Sequence, residues 1–389
     1  MIKPLILAVL IGILSIATGG RVQAASGTPL TNDPHDSTAN PRLVRTLHDK
    51  PNGTIVAAVR NGAVYESTDD GATFSKLSDI PFRSGTRWQC CGTLFELPRA
   101  VGQLRAGTLL QSATFCAGTT ASIEVYASSD GGKSWTYHST PVQRGNCTAG
   151  NHHGLWEPEF EVDSGGALVM FWSDETDPCC SQKLAQIRSI DGVTWQDEKN
   201  TVASRIQGDR PGMAVVSKLP GGIYFMTYEL CGPAQCTAFY RTSADGWDFG
   251  PPANTGKKIA TVNGAYFEHA PRNIWIQADG GELLVVGQLL LNNSGHYSAQ
   301  SGHVLFVNRS ADASGEWRMI AAPVRVDIPA SLATRAGYNT CQNYSSALLP
   351  LGNGSGLLEM ASDWNAAHVC TAYFASEPLG GAPLHDRPR

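Results

Sequence analysis

Short apolar runs recur along the chain in pairs, and a glycine-centred turn separates the two runs of each pair. Each run covers about four to six residues, a length typical of a β-strand and too short for a stable helix. The second runs of the six pairs cover residues 54–59, 107–110, 167–172, 223–228, 283–286 and 357–360. The pattern therefore predicts an all-β protein built from six copies of one hairpin-based unit.

A second pattern follows four of these pairs and reads serine, any residue, aspartate and then glycine, closing on an aromatic residue. Serine and aspartate side chains accept hydrogen bonds from nearby backbone N–H groups, and glycine takes the positive φ that such turns require. The copies cover Ser67–Phe74, Ser128–Trp135, Ser189–Trp195 and Ser243–Phe249, and their leading serines are 61, 61 and 54 residues apart. A repeat of this length indicates one supersecondary unit copied along the chain.

The repeated turn resembles the Asp-box of sialidases and related β-propeller glycosidases. That resemblance implies a structural hairpin at the periphery, so no chemistry is assigned to its aspartates, Asp69, Asp130, Asp191 and Asp245. Two apolar strands followed by a second hairpin make a four-stranded blade, and blades in a ring leave only short, protected edges. We therefore expect one six-bladed β-propeller over residues 41–378, with a disordered leader at 25–40 and a flexible tail at 379–389.

The first residues have the pattern of a secretory signal peptide. Lys3 supplies a positive charge, residues 4–17 are apolar, and Val22-Gln23-Ala24 has the small residues of a cleavage site. The apolar run is short for a membrane-spanning helix, which favours cleavage over a membrane anchor. The sequence therefore predicts a signal peptide at residues 1–24 and a secreted, monomeric protein that is not attached to a membrane after cleavage.

Composition narrows the classes of partner and cofactor. The net charge is −5 and the chain has no basic run, which argues against nucleic-acid binding. Ten cysteines in an exported chain predict disulfides, among them a bond between Cys231 and Cys236 across a short loop. The sequence contains no C-x-x-C or H-x-x-x-H pattern, so we expect neither a metal nor another cofactor.

Two glutamates stand out because they adjoin apolar runs. Glu157 lies in the sequence L-W-E-P-E-F-E, and Glu229 ends an apolar run. Glycoside hydrolysis uses two carboxyl groups, one to protonate the leaving oxygen and one to attack the sugar or to activate water. From the residues alone, a surface position or a salt bridge stays open for each glutamate. Glu159 and Glu161, on the same strand as Glu157, are expected to carry outward, solvated charges.

Five segments between residues 154 and 229 strengthen the case for these two carboxyl groups. The segments are Gly154–Pro158, Trp172–Glu175, Ser181–Gln182, Asp209–Met213 and Thr227–Glu229. In this order they resemble the exo-arabinanases of glycoside hydrolase family 93, secreted six-bladed propellers that release arabinobiose from the non-reducing end of α-1,5-arabinan with retention. The resemblance implies an oligosaccharide or polysaccharide substrate, with Glu157 as acid/base and Glu229 as nucleophile.

A sialidase remains an alternative. The stretch from residue 337 to residue 348 resembles the part of sialidases that holds a nucleophilic tyrosine, and Tyr344 matches it better than Tyr338 does. A sialidase also clamps the carboxylate of its substrate with three arginines in bidentate fashion. The heads of units one, four and five offer Arg42, Arg210 and Arg272 for this role.

Two further residues are assigned to substrate binding in either enzyme. The indole of Trp156 offers a surface on which a sugar face stacks, and Tyr338 is a second candidate contact. The third possible function is a non-catalytic, carbohydrate-binding propeller, which would need the channel but not both glutamates.

Overall fold

The computed structural model describes residues 25–48, 53–148, 153–277, 280–329 and 339–379. Within these ranges the regular structure consists of strands and of three single-turn 3-10 segments, Arg60–Gly62, Pro220–Gly222 and Gly232–Ala234. No helix in the same ranges has the length and apolarity needed to cross a membrane. The predicted signal peptide, Tyr338 and residues 380–389 of the predicted tail lie outside the described residues.

Six sheets make up the described fold, and each forms one blade. A short strand, β1 (Thr28–Pro29), precedes them. Blade 1 contains β2 (Arg42–Arg45), β3 (Ile55–Ala58), β4 (Ala63–Ser67) and β5 (Ser75–Asp79). Blade 2 contains β6 (Thr86–Glu96), β7 (Leu109–Ala117), β8 (Thr120–Ser128) and β9 (Thr136–Gln143). Blade 3 contains β10 (Leu155–Val162), β11 (Leu168–Asp174), β12 (Lys183–Ser189) and β13 (Gln196–Val202).

The second half of the ring is built in the same way, with an extension on blade 4. Blade 4 contains β14 (Arg210–Lys218), β15 (Tyr224–Cys231), β16 (Thr237–Ser243) and β17 (Lys257–Lys258), and it also carries β18 (Tyr266–Glu268) and β21 (Leu289–Leu291). Blade 5 contains β19 (Arg272–Ile276), β20 (Glu282–Val286), β22 (Val304–Asn308) and β23 (Arg318–Ala321). Blade 6 contains β24 (Ala347–Pro350), β25 (Gly356–Trp364) and β26 (Cys370–Pro378).

The first strands of neighbouring blades contact one another in a closed circuit that runs β2, β6, β10, β14, β19, β24 and back to β2. These strands therefore surround the central channel, and the six-bladed β-propeller expected from the sequence is confirmed. The second strands lie between neighbouring blades, so that β11 is buried along its whole length. Burial on both faces explains why the second runs are continuously apolar rather than alternating.

The ring is closed by the segment that precedes blade 1. Strand β1 pairs with β26 as the fourth strand of blade 6, with Thr28 opposite Phe374. Thr38 Oγ1 accepts a hydrogen bond from the Ala372 N–H at 2.8 Å, and Leu30 is buried. Residues 25–40, expected to be a disordered leader, are therefore part of the fold, because the last blade needs an outer strand that the C-terminal segments do not supply.

The serine and aspartate turns have the geometry that their sequence predicts. Ser67 Oγ accepts a hydrogen bond from the Gly71 N–H at 2.8 Å, and Asp69 Oδ1 accepts one from the Thr73 N–H at 2.9 Å. Gly71 has φ +89, which a residue with a side chain rarely adopts. The other three copies repeat these bonds at Ser128, Ser189 and Ser243. The turns lie beyond the third strands, away from the channel.

All ten cysteines are paired. The five disulfides are Cys90–Cys91, Cys116–Cys147, Cys179–Cys180, Cys231–Cys236 and Cys341–Cys370. The predicted bond between Cys231 and Cys236 is thus confirmed, and two of the bonds join cysteines that are adjacent in the sequence.

Candidate active site

Five of the six blades carry the same irregularity where the first strand meets the second. On β10, Trp156 faces Ser173 and Glu159 faces Phe171, so the first strand uses one residue more than its partner. The same one-residue shift in register occurs on β6 and β14. Backbone hydrogen bonds show that blades 1 and 5 also contain it. Each of these bulges contains one residue with positive φ: Asn40, Cys91, Glu157, Met213 and Ala270.

This repeated bulge explains how a glutamate comes to point into the channel. A bulge turns a side chain away from the alternation of its strand, and bulges are common at the rims of barrels and next to active sites. Glu157 has φ +55, a conformation that is uncommon for a residue other than glycine. Pro158 follows it, and its fixed φ limits the backbone conformations that the bulge can adopt.

The carboxyl group of Glu157 is fixed by two hydrogen bonds. Its Oε2 atom accepts one from Ser173 Oγ at 2.7 Å and one from the Met213 N–H at 3.1 Å. Burial raises the pKa of Glu157 to about 7, and the nearby carboxylate of Glu229 adds to the rise. A carboxyl group with such a pKa is partly protonated near neutral pH and can donate a proton to a leaving group.

Glu229 is held in the same manner one blade further on. Its Oε2 atom accepts a hydrogen bond from the Ala270 N–H at 2.8 Å, and His269 Nε2 lies 3.8 Å away. The bulge amide of each blade thus binds the glutamate of the preceding blade: Met213 binds Glu157, and Ala270 binds Glu229. The arrangement brings the two predicted carboxyl groups together on neighbouring blades.

Gly212 keeps the space between these two groups open. It faces Glu229 in the sheet and precedes Met213. A Cβ atom at this position would lie 2.5 Å from Gln182 Nε2, 3.2 Å from Ser173 Oγ and 3.6 Å from Glu157 Oε2. A side chain here would therefore displace Gln182 and crowd the serine that positions Glu157.

Tyr344 is buried in the same site, beside His269 and Met213. Its ring centroid lies 5.4 Å from that of His269, and its hydroxyl group points to Met213 Sδ at 3.8 Å. Burial, followed by the carboxylates of Glu157 and Glu229, holds the pKa of Tyr344 well above its ordinary value. The predicted catalytic role of Tyr344 stays a prediction.

Arg42 and Arg272 lie near the same buried glutamate, Glu159. Arg272 Nη2 is 3.6 Å from Glu159 Oε2, and Thr93 Oγ1 donates a hydrogen bond to Glu159 Oε1 at 3.0 Å. Arg42 is buried and donates to the carbonyl oxygen of Ser345 at 3.2 Å. Both arginines line a small cavity with Glu157 and Glu159.

The expectation that Glu159 and Glu161 carry outward, solvated charges is wrong. Only 7% of Glu159 and 8% of Glu161 is exposed. The reason is that β10 lies between β6 and β14, and the part of the strand from Pro158 to Val162 is buried between them. Burial raises the pKa of Glu161 to about 7, although the side chain accepts a hydrogen bond from the Val162 N–H.

Arg210 and Trp156 belong to a separate group of contacts at the end of blade 3. Arg210 forms an ion pair with Glu175 and donates a hydrogen bond to Gln182 Oε1 at 2.7 Å. The Trp156 indole N–H donates to Glu175 Oε2 at 2.9 Å. Glu175 therefore fixes the indole, and the three candidate arginines occupy two different environments rather than one clamp around a common point.

Several residues of the site were not assigned roles from the sequence. Ser173 and Glu175 lie in the W-S-D-E segment that contributed to the family resemblance, so a signal for them was present. The backbone N–H groups of Met213 and Ala270 bind the two glutamates because of their backbone conformation, which the residue types do not predict. Tyr338 lies outside the described residues, and its predicted role stays a prediction.

One group of donor atoms in the described part of the chain is compact enough to be considered as a metal site. Glu229, Cys231 and Cys236 place one ligand atom each within 4.8 Å of one another. The two sulfur atoms are joined in a disulfide and offer no thiolate to a metal. The donor set therefore does not suit a metal ion.

No family model matches this sequence, and no curated protein matches it either. Solved structures do match the fold. An α-L-arabinanase of Penicillium chrysogenum in complex with arabinobiose has a TM-score of 0.73 and 23% identity, over 91% of this chain and 98% of that chain. The α-L-arabinofuranosidase of Fusarium graminearum with an iminosugar inhibitor has a TM-score of 0.72 and 23% identity, over 92% and 99%.

A further structure of the Fusarium graminearum enzyme, described as a member of glycoside hydrolase family 93 and bound to arabinobiose, has a TM-score of 0.71. It is 21% identical and covers 92% of this chain and 98% of its own. At such identities the likeness establishes the six-bladed fold, and it agrees with the family resemblance that the W-E-P and T-Y-E segments carry.

Proposed function

We propose that this protein is a secreted, retaining exo-glycoside hydrolase that acts on α-1,5-linked arabinan, or on a similar polysaccharide, and releases arabinobiose. The observation that carries the proposal is the pair formed by Glu157 and Glu229. The bulge amide of the following blade fixes each carboxyl group, and the pKa of Glu157 is raised to about 7.

The roles of the two groups follow from their surroundings. Glu157, partly protonated near neutral pH, donates a proton to the oxygen that leaves the scissile bond. Glu229 attacks the anomeric carbon and forms a covalent glycosyl ester, which water later hydrolyses. Its Oε2 atom accepts the bond from the Ala270 N–H, and its Oε1 atom lies 3.3 Å from Cys231 Sγ.

The same pair accounts for the change in the role of Glu157 during one turnover. The charge of Glu229 is one cause of the raised pKa of Glu157. Formation of the ester removes that charge, so the pKa of Glu157 falls when the intermediate forms. Glu157 then accepts the proton of the attacking water, as a retaining mechanism requires.

The identity of the sugar is inferred from similar structures. The Penicillium chrysogenum arabinanase, which shares this fold, was determined with arabinobiose bound. In this chain the indole of Trp156, fixed by Glu175, offers a flat surface beside Glu157 for one sugar face. Five disulfides are compatible with an extracellular protein and support the proposal of secretion.

Hydrolysis of linear arabinan and of sialyl-lactose by the purified protein tests the proposal. We expect arabinobiose from arabinan and no sialic acid from sialyl-lactose. Glu157→Gln and Glu229→Gln should each lower kcat by several orders of magnitude, because groups that act as a unit fail together. Glu377→Gln, at an exposed carboxylate of blade 6, is the matched control and should keep wild-type activity.

Release of sialic acid, together with loss of that activity in Tyr344→Phe, would establish the sialidase alternative instead. Binding of arabinan without hydrolysis of any glycoside would establish the non-catalytic alternative.

A further inference from the structure

All five disulfides lie at the end of the ring that contains Glu157 and Glu229. Cys116 on β7 lies two residues after Thr114, which faces the bulge of blade 2. Cys231 on β15 lies two residues after Glu229, which faces the bulge of blade 4. Cys370 begins β26 opposite Trp364, where the β25–β26 hairpin turns at the same end. The remaining bonds lie in the β6 bulge and in the loop after β11. Two of these bonds, Cys116–Cys147 and Cys341–Cys370, join segments that are distant in the sequence at the channel mouth.

One of these disulfides lies in the bulge of a channel strand, β6. Cys90 and Cys91 occupy in blade 2 the places that Trp156 and Glu157 occupy in blade 3, because both pairs begin the repeated bulge. Cys91 has φ +51, close to the φ of +55 at Glu157. The next residue, Gly92, lines the same cavity as Glu157.

A disulfide between adjacent cysteines offers an unusual surface. It closes a small ring with the peptide bond between the two residues, so neither side chain can rotate away. Its sulfur atoms are polarizable, apolar and free of strong hydrogen-bond donors. Cys90 is half-buried and Cys91 is 5% exposed, so part of Cys90 is accessible while Cys91 is buried beneath it in the bulge.

Such a surface fits the C–H face of a sugar ring. Trp156 offers an aromatic surface on blade 3, and the sulfur ring offers an apolar surface at the equivalent place on blade 2, whose first strand contacts that of blade 3. A sugar lying over Glu157 would then contact both surfaces, while its hydroxyl groups remain at the edge.

We propose that the Cys90–Cys91 disulfide forms one wall of a sugar-binding subsite, in which a neutral furanose ring of the substrate packs between the sulfur ring and Trp156. This inference rests on the proposed function, since it names a substrate contact of the same site.

A pair of alanine variants tests the contact. Cys90→Ala/Cys91→Ala removes the sulfur ring, and Cys179→Ala/Cys180→Ala removes the other adjacent-cysteine disulfide, which lies in the loop after β11. Loss of an apolar contact in a sugar pocket should raise KM for arabino-oligosaccharides by about tenfold. The kcat value should stay within about twofold of wild type, because a contact made equally in ground and transition states affects KM alone. The control variant should keep the KM of the wild-type protein.

Protection from reduction gives a second readout that does not depend on folding of the cysteine variants. Full-length Glu157→Gln protein is treated with a phosphine reductant, with and without arabinobiose, and the freed thiols are alkylated and identified by mass spectrometry. Arabinobiose should slow the reduction of Cys90–Cys91 and leave the reduction of Cys179–Cys180 unchanged.

The outcomes separate the inference from the proposed function. If wild-type protein hydrolyses arabinan but the Cys90→Ala/Cys91→Ala variant keeps its KM, or arabinobiose gives no selective protection, the subsite is refuted and the proposed function stands. If wild-type protein hydrolyses no arabinan, the proposed function fails and the subsite fails with it.

Discussion

The hydrogen bond from Ser173 to Glu157 allows a prediction with a definite sign. The Ser173 hydroxyl group donates to Glu157 Oε2 at 2.7 Å and favours the charged form of the carboxyl group, which lowers its pKa. Ser173→Ala removes this bond, so the pKa of Glu157 must rise from about 7.

The size of the shift follows from the strength of the bond. A hydrogen bond to a charged group is worth about 1.5–3 kcal/mol, and about 1.4 kcal/mol corresponds to one pKa unit. The Met213 N–H remains as a donor and offsets part of the loss. We therefore expect the pKa of Glu157 to rise by about one unit, to about 8.

The assay is the pH profile of kcat/KM on an aryl arabinofuranoside or on arabino-oligosaccharides. The alkaline limb reports the pKa of the general acid in the free enzyme. Since Glu157 must be protonated to act, its raised pKa should move this limb to higher pH. Thr114→Ala is the matched control, because Thr114 holds the equivalent place on β7 and its buried hydroxyl group has no hydrogen-bond partner among the described residues. An unchanged alkaline limb in Ser173→Ala, or a limb moved to lower pH, would refute the assignment of Glu157 as the general acid.

Three further predictions follow from the buried carboxyl groups, each with its own measurement. Glu159→Gln removes the partner of Arg272 and should lower the free energy of unfolding by about 3–5 kcal/mol, as measured by denaturant titration, because it leaves a buried charge unpaired. Burial raises the pKa of Glu359 to about 8, so the folded state retains a proton that the unfolded chain loses above the ordinary carboxyl pKa. The stability that this group contributes is therefore present at low pH and is lost as the pH rises towards 8, at up to about 1.4 kcal/mol per pH unit. In thermal melts, Glu359→Gln should lose less stability than the wild-type protein over that pH range. Azide should restore activity to Glu229→Ala more than to Glu229→Gln, since only the truncated side chain leaves room for the anion; equal rescue in product assays would count against Glu229 as the nucleophile.

The number and type of the blades could be predicted because the burial of each strand is visible in its own short stretch of sequence. A strand held between two blades must be apolar on both faces, so β11 and β15 appear in the sequence as continuous apolar runs. The serine and aspartate turns repeat because each makes its hydrogen bonds within its own few residues. Both signals are visible without any knowledge of the tertiary fold.

Other parts of the fold depend on contacts that are distant in the sequence. Strand β1 contains two residues and is defined by its pairing with β26, more than three hundred residues away, so its own composition suggested an unstructured leader. The strands β18 and β21 are likewise defined by their attachment to blade 4. These strands contain only two or three residues each, which is too short to show the alternating pattern of a strand in the sequence.

The candidate site divides in the same way. Glu157 and Glu229 could be selected because charged groups beside apolar runs need a partner or a function. The burial of Glu159 could not be predicted, because the alternation of polar and apolar residues in an ordinary strand puts a charged residue on the solvent-facing side. The bulge that contains Glu157 is set by a positive φ that glutamate seldom adopts, and only the repetition of the bulge in neighbouring blades reveals it.

The stereochemistry of the first product tests the central claim most directly. Proton NMR during the hydrolysis of linear α-1,5-arabinan follows the anomeric signals before mutarotation mixes them. If Glu229 attacks and Glu157 assists from the neighbouring blade, as we propose, arabinobiose should appear first as the α anomer. Retention also requires the two carboxyl groups to lie about 5–5.5 Å apart. Initial release of the β anomer would mean inversion by direct attack of water, and it would contradict the assignment of Glu229 as the nucleophile.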